Sequence, residues 1–259
     1  KGVIHFAVFK EIGESVEKPL TYYRNNVGGL ITLMEVLKEE NIDNLVFSSS
    51  CTVYGEPDEI PVKESTQTKM AESPYGATKQ MGEIILKDNA NWLNTQCLRY
   101  FNPIGAHESG FIGELPLGVP NNLIPYLTQT VAGIRKELTV FGDDYNTTDG
   151  TCIRDYIHVM DLAEAHVFAI NRLINGEQKE PFEVFNIGTG NGSSVLEVIQ
   201  AFEKANEIPV PHKIGPRRAG DVVQVWAETT KVEHVLGWKA KRTLETMLKD
   251  AWNWQTKLS

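Results

Sequence analysis

Short apolar runs alternate along this chain with longer segments in which apolar residues recur every three or four positions. The short runs have the length of buried strands, and they lie at residues 3–6, 45–49, 96–101, 138–141, 157–159 and 184–187. The longer segments have the period of amphipathic helices, and they lie at residues 19–40, 74–89, 122–134, 162–174, 195–206, 230–236 and 244–257. Strands that alternate with helices predict an α/β fold with a parallel sheet.

The composition is that of an ordinary globular protein, with 41% hydrophobic and 23% charged residues among 259. A net charge of −9 argues against general binding to nucleic acid or to an anionic membrane surface. There is no apolar run long enough to cross a bilayer and no recognisable signal peptide, so we expect a soluble, cytoplasmic protein. Cys51, Cys97 and Cys152 are widely spaced and the His residues show no ligand spacing, so we expect no metal site.

Candidate chemistry lies at one strand end and on one helix face. Ser48-Ser49-Ser50 ends an apolar run, and ligands of open α/β sheets collect at the carboxyl ends of strands. Tyr75 and Lys79 are four residues apart on a predicted helix, so they share one face. An ammonium beside a phenol favours the phenolate, which predicts a lowered pKa for Tyr75 and a general base near neutral pH. Ser50 would share a substrate proton with Tyr75. By itself the Tyr-x-x-x-Lys spacing is a weak signal.

A glycine-rich segment is similar to the phosphate-binding turn of a nucleotide site. The segment from Gly188 to Gly192 lies between a strand and a helix, as the turn does in dinucleotide-binding proteins. Its third Gly comes one residue too early for G-x-G-x-x-G, and His212 and Lys213 stand where an acidic residue should follow. We interpret the segment as a tight turn and a helix start.

Several longer motifs follow one another along the chain. They are Phe47-Ser48-Ser49-Ser50-x-Thr52-Val53-Tyr54-Gly55, Ser73-Pro74-Tyr75-Gly76-x-x-Lys79, Arg99-Tyr100-Phe101-Asn102-Pro103-x-Gly105-Ala106-His107, Pro120-Asn121-Asn122-Leu123-x-Pro125-Tyr126, Arg154-Asp155-Tyr156-Ile157-His158-Val159 and Arg217-Arg218-x-Gly220-Asp221. Together they closely resemble the UDP-glucose 4-epimerases, a family of extended short-chain dehydrogenases. The resemblance runs from Val3 to Leu258.

The resemblance implies NAD-dependent epimerisation of UDP-glucose and UDP-galactose at C4 through a 4-keto sugar. Tyr75, with Lys79 and Ser50, would remove the proton of the 4-hydroxyl, and the C4 hydride would pass to NAD and return to the other face. The resemblance also implies a homodimer. Residues 1–102 would form the carboxyl part of a Rossmann-like doubly wound parallel sheet. Residues 103–259 would form mainly a smaller mixed α/β substrate domain, with some segments returning to the first.

Other functional positions of the family carry over by motif. The cofactor would contact Ser50, Tyr75 and Lys79, and also Phe6, Ala7, Lys10, Asn25, Tyr100 and Phe101. The UDP-sugar would contact Asn102, Asn122, Leu123, Thr139, Phe141, Arg154, Tyr156, Arg218 and Asp221. Among these, Arg154 and Arg218 would hold the pyrophosphate, for which a planar guanidinium is a suitable donor. Without the resemblance, Arg218 beside Asp221 is equally well interpreted as a surface ion pair.

The sequence departs from the family pattern in places. Val8-Phe9 replaces a usual Gly-Leu, and this puts a β-branched side chain where the backbone approaches the cofactor. Cys51 replaces a usual Ala. Val225 stands where some members carry Tyr near the sugar 2-substituent. Because Val is smaller, the resemblance predicts room for N-acetylated sugars.

The resemblance begins at what should be the fourth strand of the family's sheet. The Gly-rich turn that carries the pyrophosphate at a helix N-terminus has no counterpart in this sequence, nor has the acidic residue that binds the adenosine ribose. We therefore expect a fragment of a longer enzyme, weak NAD binding by these residues alone, and an exposed sheet edge.

Two alternatives stay open. A related nucleotide-sugar 4,6-dehydratase would need an added acid–base pair just after the strand-end serine, where Cys51 and Thr52 stand. A truncated, non-catalytic remnant would account for the missing segment, although Ser50, Tyr75 and Lys79 are intact.

Overall fold

The computed structural model describes residues 1–218 and 221–258, so Gly220 of the Arg-Arg-x-Gly-Asp motif lies outside the described residues. The chain divides into two compact units, each assembled from several segments. The first unit contains Lys1–Tyr100, Glu164–Ile187 and Glu228–Lys239, and the second contains Phe101–Ala163, Gly188–Ala227 and the segment that begins at Ala240.

The elements follow the predicted alternation of strand and helix. The strands are β1 (Val3–His5), β2 (Asn44–Ser50), β3 (Asn94–Tyr100), β4 (Asn102–Ile104), β5 (Leu138–Phe141), β6 (Ile153–His158), β7 (Phe182–Ile187), β8 (Gly192–Ser194), β9 (His212–Gly215) and β10 (Gln224–Val225). The α-helices are α1 (Ile12–Glu17), α2 (Pro19–Tyr22), α3 (Gly29–Glu39), α4 (Pro74–Asp88), α5 (Leu123–Val131), α6 (Val159–Ile174), α7 (Val195–Asn206) and α8 (Leu244–Thr256). The expected α/β fold with a parallel sheet is confirmed.

The first unit contains a parallel sheet in the order β1-β2-β3-β7. Ser50 at the end of β2 is the register partner of Tyr100 at the end of β3, and Tyr100 is in turn the partner of Ile187. Because all these strands are parallel, their carboxyl ends meet at one edge of the sheet. The candidate serine therefore lies at the ligand-binding edge that its position in the sequence predicts.

A helical layer covers this sheet. Leu30, Met34 and Leu37 recur with helical spacing on α3, and they pack with Phe47 of β2 and Leu86 of α4 in one apolar cluster. The side chains of β2 are buried along its whole length. Because α4 packs against β2, its position relative to the strand that carries Ser50 is fixed.

The second unit contains two smaller sheets. Strands β10, β6 and β4 are parallel neighbours in that order, β8 pairs antiparallel with β6, and β5 pairs parallel with β9. Its core is formed by side chains of α5, α7 and α8 together with those of β5 and β6. This unit holds the segments that carry the predicted substrate residues.

The predicted helix at 19–40 is interrupted. A π-helical segment, Tyr23–Gly28, lies between α2 and α3. It turns Asn26 inward, where the side-chain amide accepts from the Phe9 N–H at 2.9 Å and donates to the Phe9 carbonyl at 3.0 Å and to Thr78 Oγ1 at 3.0 Å. Wide turns of this kind are often found at functional sites. Periodicity alone does not predict them.

Helix ends differ from prediction at two residues. The helix predicted at residues 162–174 begins earlier, at Val159, so Asp161 lies in the first turn of α6 and accepts from the backbone N–H groups of Lys241 and Arg242. Asn122 occupies the N-cap position of α5, but its side chain makes no cap bond and instead donates to Glu114 Oε1 at 3.2 Å. Asp161 thus bonds to residues about eighty positions away, and Asn122 bonds to a residue of the preceding loop.

No helix in the described part of the chain is long and apolar enough to cross a membrane. Within the same residues, no group of three or more His, Cys, Asp or Glu side chains is placed to hold a metal ion.

Substitution of Gly82 tests the packing of α4 on β2. An added Cβ would lie 2.7 Å from the Phe47 ring. Gly82→Ala should therefore lower the free energy of unfolding by about 1–2 kcal/mol, despite a helix-propensity gain of about 1 kcal/mol. Urea unfolding measures this. Gly29→Ala is the matched control, because nothing lies within 4 Å of its added Cβ, and it should raise stability by about 0.5–1 kcal/mol. Unchanged or higher stability of Gly82→Ala would contradict the packing.

Candidate catalytic and binding sites

Local signals in the sequence place Tyr75 and Lys79 on α4. Ser73 is the N-cap and its Oγ accepts from the Gly76 N–H at 3.2 Å, while Pro74 occupies the first helical turn. The helix therefore starts immediately before Tyr75. The four-residue spacing then puts Tyr75 and Lys79 on the same face.

Lys79 is a buried ammonium. It is 1% exposed, and its Nζ donates to the Ser48 carbonyl at 2.5 Å and to Ser48 Oγ at 3.3 Å. The Nζ also lies 5.2 Å from the Phe47 ring centroid and 5.6 Å from that of Tyr75. Burial lowers the pKa of Lys79 to about 7, although the charge of Glu83 acts to raise it.

The expected lowering of the Tyr75 pKa is wrong for this structure. Burial raises the pKa of Tyr75 to about 12, and the nearby Ser50 hydroxyl opposes the rise. The reason is geometric, because Lys79 Nζ lies over the face of the Tyr75 ring and donates to Ser48 rather than to the phenol oxygen. The pair is brought together as predicted, but in this state the ammonium does not stabilise a phenolate.

Ser50 joins the strand end to the Tyr75 helix. It is buried, it ends β2, and its Oγ accepts from the Thr52 N–H at 3.2 Å. The Ser50 hydroxyl lies close enough to the Tyr75 phenol to lower its pKa, against the effect of burial. Ser50, Tyr75 and Lys79 therefore form one cluster at the carboxyl end of β2.

The predicted cofactor residues near the start of the chain lie around the same sheet edge. Phe6, Ala7 and Lys10 follow β1 and are exposed. The ring of Phe6 packs on His166 with centroids 4.7 Å apart. Asn25 lies on the π-helical segment and lines an open groove of about 450 Å³. Phe9, Leu20, Thr21, Arg24 and Gly29 complete the lining of this groove.

Tyr100 and Phe101 fall in different units. Tyr100 ends β3 beside Ser50, and its hydroxyl is hydrogen-bonded to His166. Burial raises its pKa well above the usual value. Phe101 is buried and belongs to the second unit. The partnership of Tyr100 with His166 was not predicted from the sequence, because sixty-six residues separate the two.

The residues of the first unit fit the nicotinamide ribose of a dinucleotide. Lys79 has three N–H groups, and its hydrogen bonds use two acceptors, both on Ser48, which leaves a donor for a ribose hydroxyl. Thr52 Oγ1 is buried without a partner at the same strand end. The exposed ring of Phe6 adds an apolar surface near this edge of the sheet.

The second unit brings several predicted substrate residues together. Arg218 donates to Asp221 at 2.7 Å, and Asp221 lies 4.0 Å from the Arg154 guanidinium. The Arg218 guanidinium lies 5.5 Å from the centroid of the exposed Phe141 ring. The neighbouring Arg217 is engaged elsewhere, with Asp144 at 2.6 Å. Two guanidinium groups and one aromatic face are thus collected in one place, which suits a phosphorylated ligand that also carries a ring.

The other predicted substrate residues are less closely grouped. Asn102 on β4 is the register partner of Tyr156 on β6, so the two lie side by side. Burial raises the pKa of Tyr156 to about 12, with Arg154 opposing. Thr139 lies on β5, and Asn122 and Leu123 lie at the start of α5.

The glycine-rich turn binds a carboxylate of its own chain. Asp155 is fully buried and accepts from the N–H groups of Thr189, Gly190 and Ala227 at 2.8–3.1 Å and from Thr189 Oγ1 at 2.6 Å. The side chain of Ser194 caps α7 in a capping box with Glu197. The interpretation of this segment as a tight turn and helix start is confirmed.

Comparison with known proteins places the chain among nucleotide-sugar enzymes. The family model described as GDP-mannose 4,6 dehydratase matches residues 1–251. UDP-glucose 4-epimerase 2 of Arabidopsis thaliana is 54% identical over 256 residues, which cover 97% of this chain and 72% of that protein. UDP-glucose 4-epimerase of Haemophilus influenzae is 49% identical over 256 residues, which cover 98% of this chain and 75% of that protein.

Solved structures give the same result. The UDP-glucose 4-epimerase of Stenotrophomonas maltophila, with bound NAD and formylated UDP-arabinopyranose, matches with a TM-score of 0.96 and 47% identity over 99% of this chain and 76% of that one. The enzyme of Bifidobacterium longum, in complex with NAD+ and UDP, matches with a TM-score of 0.92 and 50% identity over 98% and 76%. The chain spans about three quarters of the length of the relatives that it matches.

Lys79→Met tests the cost of the buried ammonium. Folding lowers the Lys79 pKa to about 7 from an ordinary value of 10.5. Protonation of Lys79 therefore favours the unfolded state, in which the side chain binds its proton more tightly. The variant should be more stable than the wild type by about 2 kcal/mol below pH 7. This advantage should shrink as the pH rises toward 10, where the unfolded Lys also loses its proton. Urea unfolding across this pH range measures the difference. The exposed Lys87→Met on the same helix is the control, and a pH-independent loss of stability in Lys79→Met would contradict the assignment.

Proposed function

This chain belongs to the UDP-glucose 4-epimerase family, and we propose that Ser50, Tyr75 and Lys79 carry the family's NAD-dependent interconversion of UDP-glucose and UDP-galactose at C4. The observation that carries this assignment of residues is the buried Lys79 ammonium, which shares a helix face with Tyr75 beside the strand-end Ser50. Burying an ammonium without a direct carboxylate partner destabilises the fold. Such an arrangement is typical of sites that are kept for chemistry.

Tyr75 is the proposed acid and base at the sugar 4-hydroxyl. Its phenol oxygen takes the proton when the C4 carbon is oxidised and gives it back when the carbon is reduced, and the nearby Ser50 hydroxyl shares that proton. When bound, NAD accepts the C4 hydrogen with its electrons and returns it, and its positive ring favours the phenolate. Lys79 adds a second positive charge beneath the Tyr75 ring and donates to a ribose hydroxyl.

The second unit supplies the proposed groups for the UDP-sugar. Arg154 and Arg218 hold the pyrophosphate, and Asp221, which fixes both guanidinium groups, accepts from a ribose or sugar hydroxyl. Phe141 offers an exposed ring to the uracil. The remaining predicted contacts are Asn102, Asn122, Leu123, Thr139 and Tyr156.

A dehydratase is not supported, even though the matching family model is named for one. Elimination of water from the sugar requires a further acid–base pair after the strand-end serine. Cys51 and Thr52 occupy those places in a short 3-10 turn, and neither is a carboxylate. We therefore favour epimerisation.

Assembly as a homodimer, in the cytoplasm, is part of the proposal. Apolar side chains are exposed on two helices of the first unit, namely Ile31 and Val36 on α3 and Met81 and Ile84 on α4. Burial of such side chains between two copies is a common reason for their exposure in a single chain.

Tyr75→Phe tests the assigned role. The substitution removes only the phenol oxygen, so kcat for conversion of UDP-galactose to UDP-glucose in excess NAD should fall by about 10²–10⁴. Affinity for UDP should stay within about twofold, since the pyrophosphate groups are untouched. Tyr126→Phe, on α5, is the matched control and should retain wild-type turnover. Wild-type kcat in Tyr75→Phe would overturn the role, and an inactive wild type with bound NAD and UDP-galactose would overturn the function.

Val225 provides a test of sugar specificity. This buried residue is the register partner of Arg154 on β6, and the family resemblance puts it near the sugar 2-substituent. We expect turnover of UDP-N-acetylglucosamine, and Val225→Tyr should reduce that turnover at least about tenfold through steric exclusion. UDP-galactose turnover by the same variant is the internal control. An active wild type with no detectable N-acetyl turnover would contradict the prediction.

A further inference from the structure

A third residue continues the catalytic face of α4. Glu83 follows Lys79 by four residues and Tyr75 by eight, so the three side chains form one row along the helix. Glu83 is 9% exposed. Glu83 belongs to none of the sequence motifs and to none of the predicted site positions, yet it is buried.

Two neighbouring strands hold the Glu83 carboxylate. Ser49 on β2 donates to Oε1 at 2.5 Å. Arg99 on β3 donates through Nε to Oε1 at 2.9 Å and through Nη2 to Oε2 at 2.6 Å. Ser49 and Arg99 are register partners in the sheet. The carboxylate therefore ties α4 to both strands one residue before their carboxyl ends.

Arg99 is itself held in place, so the clamp on Glu83 is fixed. Its Nη1 donates to the Glu64 carbonyl at 3.4 Å, and its guanidinium lies 4.8 Å from the centroid of the Tyr54 ring. The Tyr54 hydroxyl donates to Asn186 Oδ1 at 2.6 Å. Because the Arg99 guanidinium is also held by these other contacts, its bidentate ion pair with Glu83 has a single geometry.

Glu83 also carries a negative charge that acts on Lys79, which precedes it by four residues on α4. The other titratable groups around this ammonium are His5 on β1, Cys97 on β3 and Tyr75 on α4. Burial lowers the pKa of His5 and raises the pKa values of Cys97 and Tyr75, so all three are uncharged near pH 7. The Glu83 carboxylate is left to favour the charged form of Lys79.

We propose that Glu83 is a positioning residue for the catalytic pair. Clamped by Ser49 and Arg99, its carboxylate fixes the α4 face that carries Tyr75 and Lys79 against the end of β2, and it favours the charged form of Lys79. The role in turnover rests on the proposed function, whereas the effect on Lys79 itself does not.

Glu83→Gln tests the proposal directly on Lys79. The amide keeps the size and one acceptor of the side chain but removes its charge and leaves the Arg99 guanidinium uncompensated. The pKa of Lys79 should therefore fall by about one pH unit. NMR titration of lysine labelled with ¹³C at Cε and ¹⁵N at Nζ measures the pKa, with Lys79→Arg used to assign the signal. An unchanged Lys79 pKa in a folded Glu83→Gln protein would overturn the proposal.

Glu183→Gln is a matched control for loss of a buried ion pair. Glu183 on β7 is 8% exposed and forms a bidentate pair with Arg172 at 3.1 and 3.2 Å, on the same sheet but away from the α4 row. It should lose similar stability and leave the Lys79 pKa unchanged. An equal shift of that pKa in the control would show a general effect of destabilisation and would overturn the specific role.

Turnover separates positioning from the proposed function. In Glu83→Gln, kcat for UDP-galactose should fall about tenfold with KM within about twofold, and the basic limb of the kcat–pH profile should move to lower pH. Glu83→Asp retains the charge and should restore the position of that limb. If Lys79 shifts as expected but the wild-type chain with NAD turns over no UDP-galactose, the proposed function fails and the coupling of Glu83 to Lys79 stands. If the wild type is active and kcat and the pH profile of Glu83→Gln match it, the positioning role fails.

Discussion

One buried ammonium constrains the first unit of this protein. Lys79 can lie almost without exposure at the end of β2 only because Ser48 offers it a carbonyl and a hydroxyl and because α4 starts where it does. Burial in a low-dielectric environment disfavours the charged form by several kcal/mol unless neighbouring groups compensate. The row of Tyr75, Lys79 and Glu83 on α4, together with the serines of β2, offsets part of this cost.

The second unit depends on a buried carboxylate in a comparable way. Asp155 accepts hydrogen bonds from the turn at Thr189-Gly190 and from Ala227, so one side chain joins β6 to two segments that are distant in sequence. Arg154 and Tyr156 flank it on the same strand. Arg154, which is proposed to hold the pyrophosphate, is thus on a strand that Asp155 ties to its neighbouring segments. Each unit thus uses a buried charge as its internal anchor, which gives one geometry when every donor and acceptor is satisfied.

Much of the fold was predictable from local patterns. The strand and helix periods lie where the sequence predicts, and the Ser73 cap with Pro74 and the Ser194 capping box are formed by residues that are neighbours in sequence. The π-helical segment and the position of Asp161 within α6 were not predictable in this way. Asn26 and Asp161 hydrogen-bond to residues far along the chain, and those contacts override the local preference.

The sequence by itself determined the α/β class, the family with its chemistry, and the residues that carry the family's motifs, because these depend on residue type and on spacing along the chain. Only the tertiary structure decided the environment of those residues, and with it their pKa values and hydrogen-bond partners. Burial raises the Tyr75 pKa, and Lys79 does not reverse the rise because its ammonium lies over the ring and donates to Ser48. The Glu83 clamp likewise exists only because the register of β2 and β3 places Ser49 beside Arg99. These two residues are fifty positions apart in the sequence, so only the sheet brings them together.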